Sequence, residues 1–253
     1  LCEMNRSVIK KLTSIVGSEN ISTAPEELSC YSYDGTGQIF HPEVVAFPQS
    51  AHEISAILKI ANTEKGRVTL VSSRSLAIVA NLFDDDVTQI RHNAYTCLIN
   101  LAQFIYGVNS IIDADILRIL VDKLVAERED LILILILRLM NILLEGDLAT
   151  SLLLNTPVLE RLNVHLTSGS WEIRRLSAEN LGSISYNTLG KRATIEAQSI
   201  PPLCNMLTDS VYEVRASAVR ALTSLAQLKE GKIQIYDLDK LNNIIELLYD
   251  LDE

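Results

Sequence analysis

The stretch Glu213-Val-Arg-Ala-Ser-Ala-Val-Arg-Ala-Leu-Thr-Ser-Leu-Ala226 decides the fold. Val214, Ala218, Ala221, Leu222 and Leu225 fall at i, i+4, i+7, i+8 and i+11, one apolar stripe at helical period. Asp209 and Ser210 offer an N-cap ahead of it, and Lys229 to Gly231 closes it. Leu225 also ends a column that runs back through Ile184, Leu143 and Leu101 at spacings of 41, 41 and 42. A second column joins Leu82, Leu124, Leu166, Leu207 and Leu248, and a third joins Leu117, Leu159, Ile200 and Leu241, again at steps of 41 or 42. Units of that length with helical patterning cannot bury their apolar faces alone and must stack on one another. The expectation is a mostly α chain: an α-solenoid of about four repeats over residues 72–253, behind a small α/β segment over residues 1–71.

Within a repeat, the long helix is followed by a turn, a short helix and a second helix. The second helices are expected over Asp113 to Leu124, Thr156 to Leu166, Ile200 to Leu207 and Asp239 to Leu248, with Pro157 and Pro201 suited to first turns. Gly107, Gly190 and Gly231 each stand six residues beyond the Leu101 column, where a chain reversal calls for positive φ. The second repeat lacks that glycine and must turn through Glu145, Gly146 and Asp147. Its run Leu131 to Leu144 opens with alternating Leu and Ile, which tempts a strand reading. The 42-residue offset from Ile90 to Ile132 instead places it on a long helix. Arg91, Arg174 and Arg215 recur near the start of the long helix and are read as ties to the preceding loop, whose acids include Asp84, Asp85, Asp86, Asp209 and Glu213; Leu133 takes the place in the second repeat.

At 48% hydrophobic residues and a mean hydropathy of +0.20 the chain has enough apolar surface for a sizeable core. Its net charge of −10 divides into −2 across residues 1–70 and −8 across residues 71–253. Unselective binding to nucleic acid or to an anionic membrane needs a clustered positive field and is disfavoured. No stretch resembles a signal peptide or a bilayer-spanning helix. Cys2, Cys30, Cys97 and Cys204 are scattered, two of them at small buried-type helical positions, which favours a reduced, cytoplasmic setting. His41, His52, His92 and His165 show no i, i+4 pairing for zinc, and Asp84-Asp-Asp86 lacks the pattern of a calcium loop and reads as a solvated turn capping the next helix.

The segments Val87-Thr-Gln-Ile-Arg-His-Asn-Ala-Tyr-Thr-Cys-Leu-Ile-Asn-Leu-Ala102 and Glu213 to Ala226 resemble the long third helix of the armadillo family, and residues of about 75–253 follow an armadillo/HEAT-like pattern. Leu166-Thr-Ser-Gly-Ser-Trp-Glu-Ile-Arg174, Pro202-Leu-Cys-Asn-Met-Leu207 and Leu228-Lys-Glu-Gly-Lys232 look like the radial-spoke-type armadillo proteins of ciliary axonemes, which implies an axonemal scaffold. Importin-like members read extended peptides with a Trp-x-x-x-Asn pair on each long helix. Here the asparagine column reads Asn100, Ile142, Ser183, Ser224 and the tryptophan column Thr96, Arg138, Glu179, Arg220. An importin-like adaptor is therefore a weaker reading than a protein partner of different chemistry. Trp171 is expected as a packing residue in an inter-repeat loop.

Residues 1–71 read as α-β-α-β: a helix over Val8 to Val16, a strand over Glu43 to Phe47, a helix over Ala51 to Asn62 and a strand over Arg67 to Val71. Ile15-Val-Gly-Ser-Glu-Asn-Ile-Ser-Thr23, Tyr31-Ser-Tyr-Asp-Gly-Thr36, Pro42-Glu-Val-Val-Ala-Phe-Pro-Gln-Ser50 and His52-Glu-Ile-Ser-Ala-Ile57 resemble the front of FAD-linked oxidases of the glycolate oxidase type. That family continues with a glycine-rich loop whose N–H groups cradle the flavin diphosphate, whereas this chain reads Ser72-Ser-Arg-Ser75. A degenerate 2-hydroxy-acid oxidase is the competing class; the leading reading has no catalytic residue, no cofactor and no metal.

Function is expected to lie in protein partners docking on Thr96, Asn100, Arg138, Glu179, Ser183, Arg220 and Ser224, which point away from the apolar stripes and line up from repeat to repeat. Leu241, Ile244, Ile245 and Leu248 form an apolar carboxyl edge where self-association is expected.

Overall fold

The computed structural model describes residues 6–32, 42–61 and 75–239, with positions 243 and 245. It divides into two compact units, Leu1–Ala114 and Asp115–Glu253. The first unit therefore combines the amino-terminal segment with the first long helix of the repeat pattern.

In the first unit, helix α1 (Arg6–Val16) leads through a 3-10 turn to strand β1 (Ile21–Ser22), a short helix α2 (Pro25–Ser29), strand β2 (Val45–Ala46) and helix α3 (Ala51–Ala61). The strands pair antiparallel, Ile21 opposite Ala46 and Ser22 opposite Val45. The expected helices and the Glu43 to Phe47 strand are present in outline. The Arg67 to Val71 strand lies outside the described residues, and β1 and α2 are additions. After α4 (Ser75–Asn81) the chain enters α5 (Thr88–Leu101) and α6 (Ile105–Asp113). Helix α3 packs on both α1 and α5. Asn93 of α5 donates to Ser55 Oγ of α3 at 2.7 Å in buried surroundings, and the Phe83 and Tyr95 rings stack at 4.1 Å.

The second unit repeats a three-helix theme: α7 (Ile116–Ala126) and α8 (Asp130–Leu143), then α9 (Asp147–Leu153), α10 (Val158–His165) and α11 (Trp171–Ile184), then α12 (Thr188–Glu196), α13 (Ile200–Asn205) and α14 (Tyr212–Leu225), and α15 (Lys229–Asp237). The long helices pack in series, α8 on α11 and α11 on α14. Helix α8 settles the ambiguous Leu-Ile run: Ile132, Leu133, Leu135, Ile136, Leu137, Leu139, Met140 and Leu143 are all buried. Helices α7 and α11 pack against this one, while Leu131 and Arg138 stay exposed. No described helix is long and apolar enough to cross a membrane. Two of the second helices begin later than expected, at Ile116 and Val158, and the third begins at Ile200 as expected; of the last one Asn243 and Ile245 are described, both helical with Ile245 exposed, and Leu241, Ile244 and Leu248 lie outside the described residues.

The glycine column works differently from expectation. Gly107, Gly190 and Gly231 sit inside α6, α12 and α15, and none has positive φ. They are required by close approach: an added Cβ would lie 2.1 Å from the Leu101 carbonyl oxygen, 1.7 Å from that of Ile184 and 2.2 Å from that of Leu225. Each short helix thus crosses directly over the end of the long one before it. Positive φ falls instead on Asp115 (55°), Gln198 (58°) and Asp239 (53°), a column whose second-repeat member is Pro157, with φ −77°. The proline ring forbids the left-handed conformation there.

The long helices are also entered through a turn that the sequence reading missed. Asp209 and Ser210 do not cap α14; Val211 holds the N-cap position without a side-chain bond, and Asp209 Oδ1 accepts from the Val211 N–H at 2.9 Å. Asp85 accepts from Val87, Glu127 from Glu129 and Ser168 from Ser170 in the same way. Short polar side chains bonding the backbone two residues on make such turns self-contained.

Candidate protein-binding face

On α8, α11 and α14 the buried side faces neighbouring helices, and the opposite side carries the sequence-predicted columns. Glu179 and Ser183 are i, i+4 neighbours on α11, as are Arg220 and Ser224 on α14, so each pair shares a face. Arg138 and Arg220 are exposed; Glu179, Ser183 and Ser224 are half-buried.

Ionic contacts run across this face. Arg138 of α8 donates to Glu172 of α11, and Arg175 donates to Glu179 Oε1 at 2.7 Å while reaching Glu172 at 3.9 Å. The hydroxyl of Ser217 on α14 stands 3.2 Å from the same Glu179 oxygen and 2.9 Å from the Glu213 carbonyl, and can donate to one at a time. The two carboxylates are thus already met by guanidinium groups from their own chain. Arg220 makes no ion pair among the described residues.

The serine column is occupied differently. Ser183 donates to Asn141 Oδ1 on α8 at 2.8 Å, and Ser224 donates to the Ser185 carbonyl. Both hydroxyl protons stitch one repeat to the next, so they are not free to read a bound backbone. Asn180, absent from the predicted set, performs the same stitching in the core, its amide donating to the carbonyls of Leu137 at 3.0 Å and Leu176 at 2.8 Å. A polar residue inside the apolar stripe was the available signal.

Thr96 and Asn100 lie on α5 in the other unit and are described there by themselves. Both are half-buried, and Thr96 Oγ1 is buried without a hydrogen-bond partner among the described residues.

Trp171 is not a loop packing residue. It opens α11, is 42% exposed, and has the Arg175 guanidinium 6.0 Å from its ring centroid. The arginine column does tie helices to loops, through backbone carbonyls. Arg91, Arg174 and Arg215 donate to the carbonyls of Asp85, Ser168 and Asp209 at 2.9, 2.8 and 2.9 Å. Arg174 additionally grips both oxygens of Asp209 in the next repeat, at 2.8 and 3.0 Å. Burial raises the Asp209 pKa, but the Arg174 hydrogen bonds, the Val211 N–H and the charges of Arg174 and Arg215 outweigh it and hold the carboxyl below its ordinary 3.8.

For chemistry the described residues offer little. Burial pushes the Cys97 thiol up to about 12, far from nucleophilic, and no group of described residues is arranged to hold a metal ion. An open cleft of about 880 Å³ between α14 and α15 is lined chiefly by Val219, Leu222, Ala226, Ile233, Ile235 and Tyr236.

Comparison with known proteins agrees with this architecture. The HEAT repeat family matches residues 200–228. No curated protein sequence matches the chain. Among solved structures, an engineered protein of the Northeast Structural Genomics Consortium superposes with a TM-score of 0.73 at 21% identity, covering 98% of this chain and 91% of that one. A designed armadillo repeat protein superposes with a TM-score of 0.71 at 20% identity over 80% of this chain and 87% of its own. Another, in complex with the peptide (KR)4, gives 0.64 at 19% identity over 87% and 92%. At these identities the likeness shows the fold, an armadillo/HEAT-type repeat.

Proposed function

We propose that the chain is a non-catalytic scaffold that docks protein partners on the outward faces of its long helices: Arg138, Glu179, Ser183, Arg220 and Ser224 in the second unit, and Thr96 and Asn100 on α5 in the first. The observation that carries this is the alignment of a charged column, Arg138, Glu179 and Arg220, on three successive long helices whose other sides are buried, with Arg138 and Arg220 left exposed. The designed armadillo protein that holds a (KR)4 peptide supports a repeat of this kind as a peptide-binding frame. Photo-crosslinking residues installed at Arg138 or Arg220 are expected to trap partner protein, and the same residue at exposed Glu160 on α10 is not. Equal trapping at the three positions would reject the face.

The resemblance of Leu166 to Arg174 and Pro202 to Leu207 to radial-spoke-type proteins extends the proposal to an axonemal setting. A tagged chain in ciliated cells should concentrate along the axoneme; a diffuse cell-body signal would remove that part alone.

A further inference from the structure

Along the second unit the outward column reads Arg138, Glu179, Arg220, one residue per repeat. Resting on the docking face proposed above, we propose that this column takes an extended peptide whose charges run acidic, basic or uncharged, acidic at intervals of about three residues. Helices in contact lie roughly 8–10 Å apart, and an extended chain advances about 3.3 Å per residue. One step along the column therefore corresponds to about three peptide residues. The pattern reads the same in both directions, so it holds for either chain polarity.

Two observations favour acidic residues at the outer positions. The acceptor capacity of the face is largely used, because Glu172 and Glu179 receive Arg138, Arg175 and Ser217. Its donor capacity is not: Arg138 is tied to Glu172 alone among the described residues, its side chain half exposed, and Arg220 is exposed with no ion pair among them. A guanidinium has five N–H donors in a fork that matches a carboxylate. Since Ser183 and Ser224 spend their protons between repeats, selection passes from backbone reading to side-chain charge. A peptide made only of Lys and Arg meets like charge at two of the three positions.

The test uses fluorescein-labelled peptides and the full chain, read by fluorescence anisotropy at low and moderate salt. One peptide carries Glu, Lys and Glu at three-residue spacing; a second carries Lys, Glu and Lys; a third carries only Lys and Arg. The first should bind tightest and weaken with salt. Arg220→Glu should weaken it by about tenfold, as loss of a charge partner does, and should restore binding when the facing Glu of the peptide becomes Lys. Circular dichroism melts of the variant should match the parent. Tighter or equal binding of the second or third peptide overturns the charge pattern while leaving the face as a docking site. Binding by none of the peptides overturns the extended-peptide occupant, and equal crosslinking at Arg138, Arg220 and Glu160 is what would overturn the docking face itself.

Discussion

Asp209 meets three demands at once. Its Oδ1 closes the turn onto the Val211 N–H, its carboxylate takes the Arg174 fork from the previous repeat, and its carbonyl accepts from Arg215. Because its folded pKa lies below 3.8, its ionised form contributes stability that is present above the unfolded value and is lost as pH falls through the folded one. Asp209→Asn should cost about 1–3 kcal/mol at neutral pH, measured by urea unfolding, and the gap to the parent should narrow in acid. A gap that stays constant to low pH would mean the carboxylate charge is not what holds the repeats. Gly190 offers a second residue-scale test. Gly190→Ala should destabilise by at least about 1–3 kcal/mol because its Cβ meets the Ile184 carbonyl, whereas Gly146→Ala, with nothing nearby, should stay within about 0.5 kcal/mol of the parent. The sequence marked the glycine column as special but not why: spacing reveals that a glycine recurs, while the choice between positive φ and close approach depends on where the carbonyl six residues earlier ends up.

At the scale of elements, the long helices were legible because 14 residues hold several turns of a repeating stripe, and the 42-residue offset outweighed the strand-like look of α8. Two of the shorter helices blurred at their starts, since a left-handed residue at Asp115, or Pro157 in its place, delays the helix by a residue or more and leaves no apolar signature. Replacing Gln198 by Gly should relieve a strained φ of 58° and stabilise the chain by about 0.5–1 kcal/mol in thermal unfolding; destabilisation would show that the side chain contributes packing there. Trp171 was misplaced because a large aromatic usually signals burial, yet at the first position of α11 it points to solvent beside Arg175. As the chain has a single Trp, its fluorescence should be red-shifted and readily quenched by iodide in the folded state. The candidate columns were legible as positions but not as partners: that Ser183 and Ser224 are spent on neighbouring repeats follows only from how α8, α11 and α14 stack.

For the whole molecule, the amino-terminal segment poses the remaining question, because its sequence leads to the expectation of an FAD-linked-oxidase-like front, which no compared protein supports, while the repeat pattern behind it implies different work. The first unit joins the two stretches physically: α3, from the amino-terminal segment, packs on α5, the first long helix, and Asn93 is bonded to Ser55 in its core. A helix used as a packing partner for a repeat is occupied in a way that a cofactor domain would have to accommodate. The sequence from Val71 to Leu76 contains no glycine, and Ser75 already opens α4. A flavin diphosphate needs backbone N–H groups at close range, which side chains with a Cβ obstruct. The chain should therefore purify colourless, and titration with excess FAD should leave both flavin fluorescence and the thermal midpoint unchanged, since a ligand bound only by the folded state raises that midpoint. A saturable quench of flavin fluorescence together with a rise in the midpoint would show that the first unit binds the cofactor after all, and would reopen the oxidase reading for this half of the chain.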